Sequence, residues 1–308
     1  MKATAAALLL ALAPARALAA GTTAGATLRR PVSARAAAMA DALTALPAAT
    51  DAFGANPAGL VATRPEVRTL FSHGSVEDSY GFMGSVVPWR GVSLAGGLAY
   101  YDAGRIDIVS ATGARETRSA QRDMIGSLGA AAPLGAGLTA GGLARFYRFE
   151  LGGEARATGA ALDAGLRWDA PVRGLSFGAA LQNAGPGVKY EVESDPLPLT
   201  MRGGAAWTTD LPAPAESSMV YSGYRLTVAA DAVQTRDERL RGGVGAEFGL
   251  DFGEATSVML RGGWKLGSET DFITAGVGIR EKRFFMDYAL GARHDLGAVH
   301  HVALGARF

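Results

Sequence analysis

From residue 66 onward, apolar and polar side chains alternate along the chain with a period of two. In 239–250, Leu240, Val244, Ala246, Phe248 and Leu250 share one parity, and Arg241 and Glu247 take the other. In 257–266, Val258, Leu260, Trp264 and Leu266 oppose Ser257, Arg261 and Lys265. The same division sets Phe284, Met286, Tyr288 and Leu290 against Arg283 and Asp287, Met201, Ala205 and Trp207 against Arg202, and Leu226 and Val228 against Arg225 and Asp231. Successive side chains of a strand point to opposite faces, so each run predicts a strand with one apolar and one polar face. Runs begin near 66, 78, 91, 121, 136, 156, 174, 198, 222, 239, 255, 270, 282 and 298, separated by Gly, Pro, Asp or Asn turns. A short extra pair is expected near Arg105 to Val109, inside a longer charged loop reaching Arg118.

A soluble sandwich alternates in the same way, so three further features decide. The runs match the ~9–11 residues that a tilted strand needs to cross a bilayer. Strand and turn recur monotonously, with no helical section after Pro65. The last residues place Val302, Leu304, Ala306 and Phe308 on one face, ending on an aromatic residue. A barrel in lipid can leave no strand edge unpaired, so a final strand running to the terminus is expected. The predicted fold is an all-β, transmembrane, antiparallel up-and-down barrel of about 14 strands over 66–308, with an even strand number. Phe308 is the candidate signal for the barrel-assembly machinery.

The uncharged stretch Met124 to Ala144 is long enough for a spanning helix. Its six glycines and Pro133 make that helix costly, at about 1 kcal/mol per Gly and 3 for Pro relative to Ala, and two strands joined at Pro133-Leu134-Gly135 account for it better. Residues 1–20 carry a short basic start at Lys2, an apolar run from Ala5 to Ala13 and the small residues Ala17 to Ala20, the layout of a secretory signal. Residues 21–65 form a separate unit. Ser33 is placed to cap a short helix carrying Met39, Leu43 and Leu46, which Pro47 ends. The segment Asn56-Pro57-Ala58-Gly59-Leu60 then marks a tight turn. This unit is either a hatch folded into the lumen or a periplasmic tail.

Composition narrows the classes. Of 308 residues, 42 are glycine and none is cysteine, which excludes disulfides and thiolate metal sites. With 30 basic and 29 acidic side chains the net charge is +1, too balanced for a nucleic-acid binder. With the apolar faces on outer-membrane lipid, the other parity sends Arg202, Arg225, Asp231, Arg241, Glu247, Arg261, Lys265 and Asp287 into the lumen, with Asp163, Arg167 and Arg307. These charges either bias the lumen towards anionic or amphipathic solutes, or pair across strands and fill it. No catalytic, metal or cofactor site is expected. The histidines are His73, His294, His300 and His301; the last two point to opposite faces, and no nucleophile motif accompanies any of them.

Residues 33–60, ending in Asn-Pro-Ala-Gly-Leu, resemble the N-terminal hatch of FadL-like outer-membrane proteins. Gly174 to Pro186, Asp195 to Gly204, and Asp287-Tyr288-Ala289-Leu290 through His301 are similar to segments of the PorV/PorQ family. The resemblance implies a fourteen-stranded FadL-like barrel in the outer membrane of a Gram-negative-type bacterium. It implies either a transporter or channel for hydrophobic or amphipathic molecules, or a secretion-linked barrel. In the second case the outer loops, such as Asp102 to Arg122 and Val188 to Pro198, would bind a protein partner. The alanine-rich, short hatch departs from the family pattern.

Overall fold

A computed structural model of the chain describes residues 23–74, 78–109, 113, 115–190, 193–211, 223–253, 255–268, 271–293 and 297–308. The expected signal segment and the turn carrying His294 lie outside these residues. Among the described residues, eighteen strands follow in chain order. They are β1 (Glu66–His73), β2 (Ser79–Trp89), β3 (Val92–Asp102), β4 (Arg105–Val109), β5 (Arg115–Ser119), β6 (Gln121–Gly135), β7 (Leu138–Leu151), β8 (Ala155–Asp169) and β9 (Leu175–Ala184), continuing with β10 (Val188–Lys189), β11 (Ser194–Asp195), β12 (Thr200–Leu211), β13 (Gly223–Thr235), β14 (Arg241–Phe252), β15 (Thr256–Leu266), β16 (Asp271–Glu281), β17 (Phe284–Arg293) and β18 (Gly297–Arg307). Fourteen of them close into one antiparallel barrel, while β4–β5 and β10–β11 are two small separate sheets. The strand starts lie within two residues of the positions that the alternation predicts, and the extra pair falls at β4–β5.

Closure is made by β18 on β1, in register from Glu66 opposite Arg307 to His73 opposite His300. The Phe308 N–H donates to Pro65 O at 2.9 Å, carrying the ladder one step past the last strand residue. Up-and-down connectivity gives the barrel two distinct ends. Tight turns such as Arg90–Gly91 and Ala136–Gly137, with positive φ throughout, lie at the end where β1 starts and β18 finishes, here the terminal end. The small sheets β4–β5 and β10–β11 lie at the opposite, loop end.

The outward face is apolar. Leu98, Leu128, Leu162 and Leu304 are each more than half exposed. Trp89, Trp168, Phe177, Trp207, Phe284 and Phe308 are exposed near the terminal ends of their strands, with Trp168 and Phe177 stacked at 6.0 Å. An apolar band edged by aromatic side chains is the surface a barrel presents to lipid. No described helix is long and apolar enough to cross a membrane. The buried core is therefore inside the barrel, where Phe53 packs edge-on against Phe82 at 5.4 Å among Val32, Leu60, Leu70 and Leu143.

Candidate functional site

Residues 32–60 pack against the inward faces of the barrel strands. Ser33 caps the helix α1 (Ala34–Ala38), its hydroxyl accepting from the Ala36 N–H at 3.1 Å. The helix is shorter than the Met39–Leu43–Leu46 spacing suggests. Ala40 and Asp41 turn left-handed with φ of 52 and 63. The Asp41 carbonyl there accepts from Arg202 Nη2 at 2.5 Å, and its carboxylate meets Lys265 Nζ at 3.0 Å. Contacts with the wall outweigh the helical preference of the segment.

The turn Asn56 to Leu60 is a 3-10 helix over Pro57–Leu60 with Asn56 as its cap, and all five residues are buried. Asn56 Oδ1 accepts from the Ala58 N–H at 3.0 Å, and its amide donates to Thr44 O at 2.7 Å and to Leu166 O of β8 at 2.9 Å. The wall makes room by omitting side chains. A Cβ at Gly141 would fall on the Pro57 carbonyl, and one at Gly165 on the Asn56 amide oxygen. Such close approach is open to glycine alone.

Charged residues surround the hatch, and nearly all are paired. On the terminal side, Arg68 Nη1 lies 3.0 Å from Asp51 and 2.8 Å from Asp287 Oδ2. Arg261 donates to Asp287 Oδ1 and to Glu247 Oε2, both at 2.6 Å. Arg35 of α1 holds the same Glu247 through two bonds of 2.8 and 2.7 Å. Deeper in, Arg202 pairs with Asp231 at 3.1 Å, Thr44 Oγ1 donates to Asp231 at 2.5 Å, and Arg145 bridges Asp163 at 2.7 Å and Phe53 O at 2.6 Å. Partial burial opposes the charge of Asp41, yet Lys265 and Arg202 hold its carboxyl below the ordinary range. Burial pushes the Asp51 carboxyl up despite Arg68 and Arg35. The eight lumen charges read from parity all face inward. Arg225 sits at the terminal mouth with Asp210 at 2.8 Å, and Arg241 at the loop side beside Glu238. The alternation did not single out Arg35, Asp51, Glu66, Arg68 or Arg145. Arg68 and Arg145 carry the inward parity of their strands, but Arg35 and Asp51 lie in a segment whose place in the lumen no periodicity reveals.

At the loop end, residues 24–30 cross the mouth. Ala24 N–H donates to Pro196 O at 3.1 Å, Arg29 pairs with Glu238 at 2.6 Å, and Arg30 pairs with Asp78 at 3.1 Å while stacking on Tyr101 at 3.7 Å. Leu28 is buried with Ile125, Phe149 and Leu197. Two cavities flank the hatch. One of about 430 Å³ lies on the loop side, lined by residues including Tyr80, Gln182, Arg202, Asp231, Lys265 and His301. The other, about 1480 Å³, is a vestibule reaching the terminal turns at Ala255 and Lys282. His301 faces the smaller cavity with Nδ1 2.6 Å from Ser72 Oγ, and the outward His300 lies 2.7 Å from the Tyr288 hydroxyl. Among the described residues no group of side chains is arranged to hold a metal ion.

No protein-family model matches the chain, and no curated protein matches it. Solved structures do share its fold. The monoaromatic hydrocarbon channel CymD superposes with a TM-score of 0.57 at 9% identity, covering 90% of this chain and 97% of CymD. The Pseudomonas putida toluene transporter TodX gives 0.56 at 10%, covering 89% and 96%. The Ralstonia pickettii toluene transporter TbuX gives 0.55 at 12%, covering 89% and 98%. The chain thus has the FadL-like outer-membrane barrel fold, and its apolar exterior is that of a barrel set in the outer membrane.

Proposed function

We propose that this protein is an outer-membrane channel for small hydrophobic or amphipathic molecules, with residues 23–65 as its internal hatch. The observation that carries the reading is the pair of cavities, about 430 and 1480 Å³, lying on opposite sides of a hatch that divides the lumen. A solute crossing the barrel has a compartment to enter and one to leave, with the hatch as the step between them. The shared fold of CymD, TodX and TbuX supports the solute class, since those proteins handle monoaromatic hydrocarbons. The test is uptake of a labelled monoaromatic compound by cells that lack their own hydrophobic channel and express this one. Uptake above the empty-vector rate is expected, and a rate equal to it would sink the reading.

Membership of the PorV/PorQ type, suggested by 174–186 and 195–204, belongs to the same proposal and carries a second reading, a secretion-linked barrel that docks a protein. The β4–β5 hairpin favours it, because Ile106, Ile108 and Val109 are exposed at the loop end. Replacing all three by serine should leave hydrocarbon uptake unchanged if the channel reading holds, and abolish export of a cargo protein if the second does.

A further inference from the structure

We infer that the vestibule on the terminal side holds an oxyanion-binding site centred on Arg280, a ligand neither needed nor supplied by the passage of neutral hydrocarbons. Arg280 lies near the end of β16 with the inward parity, opposite Ser257 on β15 and Phe285 on β17. Its Nε is buried and meets no acceptor. The nearby carboxylates of Asp287, Glu66 and Glu247 accept from other donors and not from Arg280 Nε. Asp287 accepts from Arg68 on one oxygen and Arg261 on the other. Glu66 accepts from Arg307 at 2.6 Å and from the Thr50 hydroxyl. Glu247 accepts from Arg35 and Arg261 on its two oxygens.

Cationic side chains outnumber acidic ones around this vestibule, and Lys282 and Arg283 at its rim form no ion pair with a described carboxylate. A buried guanidinium Nε kept without an acceptor is costly unless a partner arrives. Its planar fork of donors matches the oxygens of a phosphate or phosphate ester, which it binds by charge-assisted hydrogen bonds. The vestibule volume of about 1480 Å³ admits either a free anion or the head of a small amphiphile. The site stands whether or not the barrel carries hydrocarbons.

The experiment is calorimetric titration of the detergent-folded full-length protein with inorganic phosphate and, separately, with butyl phosphate. Saturable binding is expected, weakened roughly tenfold or more by Arg280→Gln, the loss of one charge-assisted hydrogen-bonding partner. Arg280→Lys should retain part of the affinity. Arg90→Gln, at a terminal turn outside the lumen, should retain all of it. Thermal unfolding should show Arg280→Gln no less stable than the parent, because no internal pair is broken. Tighter binding of butyl phosphate assigns the oxyanion to an amphiphile's head, and equal binding assigns it to a free anion; both support the site. Absence of phosphate binding, equal affinity in parent and Arg280→Gln, or earlier unfolding of that variant would overturn it.

Discussion

The hatch is tied to the barrel at two levels by the same chemistry, arginine on carboxylate, and the two levels differ in burial. On the terminal side, Arg68, Arg261, Asp51 and Asp287 are all under 5% exposed at their side chains, and each carboxylate oxygen that they share is within 3.0 Å of a guanidinium nitrogen. At the loop end, Arg29 with Glu238 and Arg30 with Asp78 keep between 22% and 31% of their side chains in solvent. Water screens the outer pairs, so each is worth little. The inner ring has no such screen. Breaking it strands a buried charge, and that penalty rather than the pair's net worth holds the hatch. The hatch is therefore anchored from the terminal side and only laced at the loop side.

Four substitutions test that contrast. Asp287→Ala leaves Arg68 and Arg261 without their shared acceptor and should cost about 3–5 kcal/mol in urea unfolding of the bilayer-refolded protein. A loss under about 1 kcal/mol would erase the difference between the levels. Gly165→Leu should cost roughly 1–3 kcal/mol by overpacking the seat of Asn56 and Pro57. Limited proteolysis should then cut within 33–60 while the heat-dependent gel shift of the closed barrel persists, and an uncut hatch would show that the seat is soft. Asn56→Ala removes the cap and two buried amide bonds, for about 1–2 kcal/mol by the same unfolding assay. Glu238→Gln should cost no more than about 1 kcal/mol, an effect that high salt removes. A larger, salt-insensitive loss would mean that the loop side anchors the hatch too.

The barrel was legible because its signal is local and repeated. Each of the fourteen strands shows its own alternation, and inward residues such as Arg202, Arg261 and Asp287 are placed by parity alone. The hatch was legible only in outline. Ser33 as a cap and Asn56-Pro57 as a turn rest on neighbouring residues, and both appear where the spacing puts them. The early end of α1 was not legible, because Ala40 and Asp41 are turned by Arg202 and Lys265, more than 150 residues away in sequence. The pairing partners of Arg35 were hidden for the same reason.

Sequence by itself determined the barrel class, a count of about fourteen barrel strands and the parity of charges such as Arg202, Arg261 and Asp287, since each follows from a two-residue period and the turns that interrupt it. Only the tertiary structure decided which of those charges are structural. Arg29, Arg68 and Arg280 are the same residue type, yet one is partly solvated at a mouth, one is locked between two carboxylates and one has a buried Nε with no acceptor. Burial and partner geometry come from closing the barrel round the hatch, which brings together positions far apart in sequence, 241 residues in the bond between Glu66 and Arg307. A near-zero net charge records that the charges balance; the fold determines where they do not.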